Sequence, residues 1–395
     1  MGPRRKSYDV VIVGGGVIGS AIAYFLAADP GFGGSVLVAE RDPSYAGCST
    51  TLSVGSIRQQ FSTPENIMIS MFGVEFLKAI DEYLTVDGEV PDVGFVEAGY
   101  LFLANPSGLD ILNAKHAVQR RCGADVDLLP PARLKERFSW MAVEDLAAGS
   151  LGVDGEGWFD PYALLQAFRR KARSLGVEYV ADEVVGMTRS GSVVDSVGLQ
   201  GGGEVACGTV VNAAGPRAAE VAAMATLELP VRSRKRFVFS FLCASEIKDC
   251  PLVIDPTGLY FRPEGAGFIT GISPPPEEDP DCLDYDVDYD LFEERIWPIL
   301  AARVPAFEAI KQTRAWAGHY AFNTVDQNAI LGPHPEVGNF YFANGFSGHG
   351  IQQAPAVGRA LSELIVGGAF RGLDLSRLSY GRLVSGEPLR ELNVV

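Results

Sequence analysis

Little in this sequence points to metal, nucleic acid or membrane. Its 395 residues hold only four histidines, and these lack metal-ligand spacing. The six cysteines, at positions 48, 122, 207, 243, 250 and 282, form no CxxC pair. No metal site and no disulfide framework is therefore expected, and reduced thiols in a cytoplasmic chain fit this usage. Positive charge is in deficit: 33 Lys and Arg stand against 49 Asp and Glu, a net charge of −16. That excess of acid argues against nucleic acid and anionic membrane surfaces as partners. No apolar run approaches the roughly 20 residues that cross a bilayer, so no membrane insertion is expected. Arg4, Arg5 and Lys6 precede an apolar stretch, but that stretch reads as a strand entering a glycine turn, not as a signal peptide. There is no internal repeat.

What is present is apolar residue, 47% of the chain, and glycine, 45 residues. The first supports a sizeable core, and the length suits two intertwined domains. The second predicts many tight turns or close backbone approaches. The most informative stretch is near the start. Val10 to Val13 is a short apolar run suited to a strand buried on both faces. Gly14-x-Gly16-x-x-Gly19 follows, then a helix carrying Ala21, Ala23, Phe25 and Leu26, then a strand from Val36 that ends at Glu40. Each part has a mechanical reason. Gly14 permits the tight turn, Gly16 lets the backbone approach a pyrophosphate, and Gly19 lets helix and strand pack closely. The helix N-terminus offers free N–H groups and partial positive charge to the phosphates, and Glu40, 21 residues beyond Gly19, can accept from a ribose diol. The unit predicts a dinucleotide site and leaves the dinucleotide open.

Further along, residues 44–63 are rich in small hydroxyls and glycine around a lone Arg58. Taken alone they read as an ordinary polar loop. Pro64 to Tyr83 is predicted as a helix, Phe95-Val96 and Gly99 to Ala104 as strands, and 108–121 and 130–137 as helices. Asp160 and Pro161 read as N-cap and first residue of a helix reaching about Leu175. Strands are expected near 177–180, 183–188, 193–199, 204–206 and 210–212. Residues 229–322 turn to β-rich, aromatic patterns. Phe237, Phe239 and Phe241 alternate as core, a helix is expected near 289–302, and the acidic run 276–290 reads as a solvated surface loop, not a calcium site. A strand at Asn339–Asn344, the turn Gly345-Phe-Ser-Gly-His-Gly350 and a helix over 351–366 close the chain with a second strand–glycine–helix unit.

Three blocks, the first glycine motif with Glu40, Asn212-Ala-Ala-Gly-Pro216 and Gly345 to Gly350, together resemble the FAD-dependent D-amino-acid oxidase superfamily, which includes sarcosine oxidase and glycine oxidase. The likeness covers nearly the whole chain. Ser49 to Ser62, Trp316-Ala-Gly-His-Tyr320 and Asp326-Gln-Asn328 are most similar to the branch that holds the FAD-dependent oxidoreductase domain protein of mitochondrial complex I assembly. The resemblance implies an α/β fold: a Rossmann-like, glutathione-reductase-type FAD-binding domain from 1–92, 150–225 and 323–395, and a β-rich substrate domain from 93–149 and 226–322. It implies that Gly14, Gly16, Val17, Ile18 and Gly19 hold the FAD pyrophosphate, that Glu40 holds the adenosine ribose, and that Arg41 and Val184 lie beside the adenine. Ser49, Thr50, Thr51 and Ser53 would line the pyrophosphate and ribityl chain. Ala213, Gly215 and Gly318 would lie along the cofactor, with Gly348, His349, Gly350, Ile351 and Gln352 at the pyrimidine side of the flavin. A helix N-terminus there suits negative charge on a reduced flavin.

The departures from the family set the functional expectation. A cysteine that tethers flavin in sarcosine oxidase is replaced by Gly318, and residues 44–63 hold no tethering histidine, so non-covalent FAD is expected. A carboxylate-clamping arginine is replaced by Tyr320, a lysine by Gln352, and an oxygen-activating lysine by Ile269. Arg58 and Arg262 remain as cationic candidates. Tyr260, His319 and Tyr320 complete the expected substrate side, with His319 as a base or a packed structural histidine. The implied reaction is oxidation of the C–N bond of a secondary amine or amino acid by hydride transfer to flavin N5. Oxygen or an electron-transfer partner would accept the electrons. Alternatives are a dehydrogenase with a non-oxygen acceptor, or a flavin-binding assembly factor with little turnover.

Overall fold

The computed structural model describes residues 2–392. The apolar run near the start forms β1 (Ser7–Val13), followed by α1 (Val17–Ala28) and β2 (Val36–Glu40). β1 is buried on both faces as its composition requires. Val10 and Ile12 join a core with Ala21 and Leu26 of α1 and Val357 and Leu361 of the helix Gly350–Gly367. Val11 and Val13 join a second core with Val210 and Val221. Each such Val, Leu or Ile side chain removed from water stabilises the fold by about 1.5–3 kcal/mol.

The next strands and helix are β3 (Ser56–Ile57), α2 (Pro64–Lys78), β4 (Tyr100–Ala104), β5 (Val126–Leu129), β6 (Ala148–Gly152) and β7 (Gly157–Trp158). After the helix Pro161–Ser174 come β8 (Glu178–Ala181), β9 (Val184–Ser190), β10 (Val193–Leu199) and β11 (Glu204–Asn212). Then follow β12 (Val231–Cys243), β13 (Leu252–Ile254), β14 (Leu259–Glu264), β15 (Gly267–Ile272), β16 (Ile310–Asn323), β17 (Ile330–His334) and β18 (Val337–Asn344). One sheet runs β17-β18-β11-β1-β2-β8, with β10 joined to β11 and β9 to β10. Its centre is parallel, and helices cover it. The other runs β16-β12-β15-β14-β13-β4-β6-β5 and is mostly antiparallel. β3 and β7 pair as a small third sheet.

Several expected elements change. The helix expected to reach Tyr83 ends at Lys78, and a separate short helix covers Ile80–Leu84. Phe95-Val96 is no strand; Val96 makes one isolated bridge to Trp158. The strands expected at 204–206 and 210–212 are one strand, β11, and the helix near 289–302 is a π-helical turn, Phe292–Ile296, running into Trp297–Arg303. The segment boundary expected at 149/150 falls inside β6. Among the described residues no helix is long and apolar enough to cross a membrane, and no cluster of His, Cys, Asp and Glu could hold a metal ion.

One contact decides where the site forms. α1 and the helix Gly350–Gly367 cross at Ala21 and Gly358, where a Cβ on Gly358 would stand 2.8 Å from the Ala21 Cβ. The close crossing brings the glycine turn before each helix to the same edge of the first sheet.

Candidate cofactor and substrate site

A cavity of about 640 Å³ opens along that edge. Its size lies within the roughly 300–1,000 Å³ of small-molecule and cofactor sites. Gly14, Gly16, Val17 and Ile18 line it from the N-terminal turn, and Gly348, His349, Gly350 and Ile351 from the C-terminal one. Neither helix is capped by the side chain of its own N-cap residue, so both present backbone donors and the positive end of a dipole to the cavity. Gly14 adopts φ +100°, and a Cβ there would stand 2.5 Å from the Ala213 carbonyl. A Cβ on Gly19 would overlap the Gly14 carbonyl oxygen. Gly19 thus serves the packing of the turn and does not line the cavity.

Glu40 stands at the end of β2, its carboxylate accepting from the N–H of Gly15 at 2.8 Å and of Asp42 at 2.9 Å. Burial raises its carboxyl pKa above the usual range, against the pull of those two amides. Arg41, Ser49, Thr50, Ser53, Val184, Ala213, Gly215 and Gly318 also line the cavity. The Thr50 hydroxyl accepts from the Val17 N–H at 3.2 Å, tying the small-residue loop to the first turn of α1. Thr51 lies behind this lining. Gln352 does too: its side-chain carbonyl accepts from the Arg58 N–H at 2.8 Å, which makes it a brace for the 58–60 segment rather than part of the wall.

The polar side chains converge at the other end. Arg58 follows β3 and is 3% exposed. Its guanidinium lies 4.4 Å from the Phe61 ring centroid and 5.4 and 5.5 Å from those of Tyr100 and Phe102. One nitrogen is 3.2 Å from His349 Nε2 and another 3.5 Å from the Tyr100 hydroxyl. Tyr260 and Tyr320 share this wall. Burial raises the phenol pKa of Tyr100, Tyr260 and Tyr320, so all three keep their protons and can donate. Gly348, at φ +94°, leaves room for Tyr320; a Cβ there would come within 2.5 Å of its ring.

Two expected substrate residues are otherwise engaged. Arg262 does not reach the cavity. Two residues beyond Tyr260 on β14, it donates to the Val54 carbonyl at 2.6 and 3.2 Å, to the Pro263 carbonyl and to Glu264, with Trp158 under its plane. It pins the 49–54 loop to the second sheet. His319 lines the cavity, but its Nε2 bonds the Asp284 carbonyl at 2.9 Å and burial lowers its pKa. The packed histidine is the better description.

The sequence reading missed four features here. Tyr100 sits on a strand that it named without assigning it a role. Arg236 lines the cavity, lies 5.1 Å from the Tyr320 ring and holds Asp279 through two bonds of 2.7 and 2.8 Å. Asp279 belongs to the acidic run expected to be solvated. That run lies at the surface as expected, with most of its residues exposed, but it also straps across β12, pairing Asp281 with Arg234 at 2.6 Å and Asp284 with Lys235 at 2.7 Å, and it sends Leu283 and Tyr285 into the cavity wall. The signal was an Arg-x-Arg-Lys-Arg pattern on a strand, matched by an acidic run of similar length. Glu156 was given no role, although an acid flanked by glycines before an aromatic pair is an unusual string.

The fit to FAD is good: two uncapped helix starts for phosphate and flavin, glycines where backbone must come close, and a carboxylate at the end of β2. The comparisons agree. The family model for FAD dependent oxidoreductase, DAO, matches residues 9–364. FAD-dependent oxidoreductase domain-containing protein 1 of Xenopus laevis is 47% identical over 431 residues, which span 100% of this chain and 85% of that protein. The crystal structure of L-proline dehydrogenase from P. horikoshii superposes with a TM-score of 0.86 at 28% identity, over 97% of this chain and 100% of that one. Glycine oxidase from Geobacillus kaustophilus follows with 0.81 at 25% identity, over 95% and 98%. With these matches running almost from end to end of the chain, the protein is a member of the DAO family of FAD-dependent oxidoreductases.

Proposed function

We propose that the protein oxidises the C–N bond of an amino acid, preferably one with a secondary amine, and that Arg58 anchors the substrate carboxylate. The observation that carries this reading is Arg58 itself: a buried guanidinium, fixed among three aromatic rings, at the end of a cavity that begins at the dinucleotide turn. Planar forked donors suit a carboxylate, and the rings hold the fork in place. The likeness to L-proline dehydrogenase supports the secondary amine. In this reading the first sheet is the FAD-binding unit and the second carries the substrate wall.

FAD, when bound, supplies the acceptor for the hydride leaving the carbon next to nitrogen. The protein's part is orientation and electrostatics. Gly14 to Ile18 and the start of the helix at Gly350 would hold the cofactor, and Glu40 its ribose. Tyr260 and Tyr320 would orient the amine as neutral donors. Leu283 and Tyr285 exclude water from the outer side. A non-oxygen electron acceptor has its own support: among the described residues lining the cavity there is no lysine, and Ile269 is buried away from it.

The test is an anaerobic screen of N-alkyl amino acids against their decarboxylated amines, read as bleaching of the yellow cofactor. Rapid bleaching by the amino acids alone supports the reading. Equal bleaching by the amines sinks the role of Arg58. Admitting air then separates the acceptors, since fast reoxidation excludes the dehydrogenase. Acid precipitation should leave the flavin in the supernatant.

A further inference from the structure

Glu156, in the turn between β6 and β7, is 1% exposed and makes no contact assigned above. The pairing of β3 with β7 lays it beside the 58–60 segment. Its carboxylate accepts from the Gln59 N–H at 2.6 Å and from the Gln60 side-chain amide at 2.7 Å. The Gln60 amide also donates to the Tyr100 carbonyl at 2.8 Å and accepts from the Ser150 hydroxyl at 2.8 Å. The space is shaped for an acid: a Cβ on Gly152 of β6 would overlap the carboxylate. On the other side of Arg58, the Arg58 N–H donates to Gln352. The backbone is therefore held immediately before and immediately after the Arg58 side chain, once by an amide and once by an acid.

We propose that Glu156 is a positioning residue for Arg58, and that a carboxylate bound by Arg58 enters together with one proton taken up by Glu156. This rests on the reading of Arg58 as the carboxylate anchor. The charged and titratable groups around Glu156 are few. Arg58 faces it from the 58–60 segment and Tyr100 from β4. Asp154 and Glu97 flank the same turn, both paired with Lys78. His349 meets Arg58 from the helix Gly350–Gly367 side. Burial pushes the Glu156 carboxyl up to about 7, with Arg58 among the groups pulling it down. An incoming carboxylate brings a second negative charge to the same guanidinium. The two acids then compete for one positive charge in a poorly screened interior, and the one that can protonate does so. Anionic ligands thus bind more tightly below pH 7 than above it, and neutral ligands show no such slope.

The experiment uses the FAD-loaded protein and follows the visible flavin spectrum during titration with acetate, or with acetamide as its neutral counterpart, from pH 6 to 8.5. We expect acetate to weaken on the order of tenfold across that range, acetamide to stay level, and Glu156→Gln to level the acetate curve. Calorimetry of acetate binding to the unaltered protein in two buffers of different ionisation heat should show proton uptake near pH 7, and this arm does not depend on any variant folding. A level acetate curve without proton uptake overturns the proposal while Arg58 keeps its role. So does a slope that survives in Glu156→Gln. Acetate that binds nowhere in the range, or binds Arg58→Met equally well, overturns the Arg58 reading and the proposal together.

Discussion

The cavity has two walls held by opposite kinds of chemistry. Around Arg58 the wall is buried, and its braces are short hydrogen bonds from Gln352, Glu156 and Gln60, none of which reaches solvent. Around residues 279–285 the wall is a strap of acids on a basic strand, and its outer pair, Asp281 with Arg234, has one partner 58% exposed. The first wall is set by desolvation and answers to pH. The second is set by charges near water and answers to salt. A pair at the base of the strap, Arg236 with Asp279, is only 11% exposed on both sides and belongs energetically to the inner wall.

Four measurements break or sharpen that contrast. The largest effect should follow Arg58→Met, which removes the guanidinium and keeps the apolar bulk. We expect kcat/KM for amino acids to fall about 100-fold, with decarboxylated amines much less affected. Next is the pH dependence of stability. The Glu156 carboxyl rises from 4.5 to about 7 on folding, so its contribution is fully present below the unfolded value and is lost as pH rises through about 7. Thermal melts from pH 5 to 8.5 should show Glu156→Gln closing on, or overtaking, the parent at the alkaline end. The relative change is up to about 3 kcal/mol, and parallel curves would remove Glu156 from the account. Gly348→Ala should cost about 1–3 kcal/mol, since φ is +94° there and the new methyl meets Tyr320. It should also loosen FAD, read as faster appearance of free-flavin fluorescence. The smallest effect is at the strap. Asp281→Asn should speed FAD release about 1.5- to five-fold, about 0.2–1 kcal/mol for an exposed pair. Added salt should have the same effect on the parent. A salt response as large in the Arg58 wall would erase the distinction.

How far the sequence announced this is uneven for physical reasons. The first-sheet elements were legible because β1, α1 and the last helix carry strong local signals: an apolar run, glycines at fixed offsets, a periodic face. β16 was not, because Lys311, Gln312, Thr313 and Arg314 hide its alternation and the strand is made by its pairing with β12. The glycines that line the cavity were legible for the same local reason, since they lie in the turns before the two helices. The inner wall was legible only in part, with Arg58 named as a candidate cation and Tyr100 and Glu156 given no role. Arg58, Tyr100, Glu156 and Gln352 are brought together by three separate crossings of the chain, and no short window holds two of them. The same separation misled the reading of Arg262. A cation on a strand beside Tyr260 looks like a substrate ligand until the Val54 carbonyl arrives from 208 residues away. The acidic run was legible as a surface loop, and most of it is exposed, but its pairing with the basic residues of β12 was not, since the two segments lie about 45 residues apart.

The crossing of α1 over the last helix at Ala21 and Gly358 has a consequence for how the protein is made. The opening glycine turn leaves the ribosome more than 300 residues ahead of its counterpart at Gly348. At about 5–20 residues per second, the first half of the cradle waits on the order of tens of seconds for the second. Until then β1 lacks cover on the face that Val357 and Leu361 will bury, and a nascent chain has nothing to close over a flavin. Flavin capture is therefore a late event in synthesis, and a chain stopped before Gly345 should be found without cofactor and in the hands of chaperones.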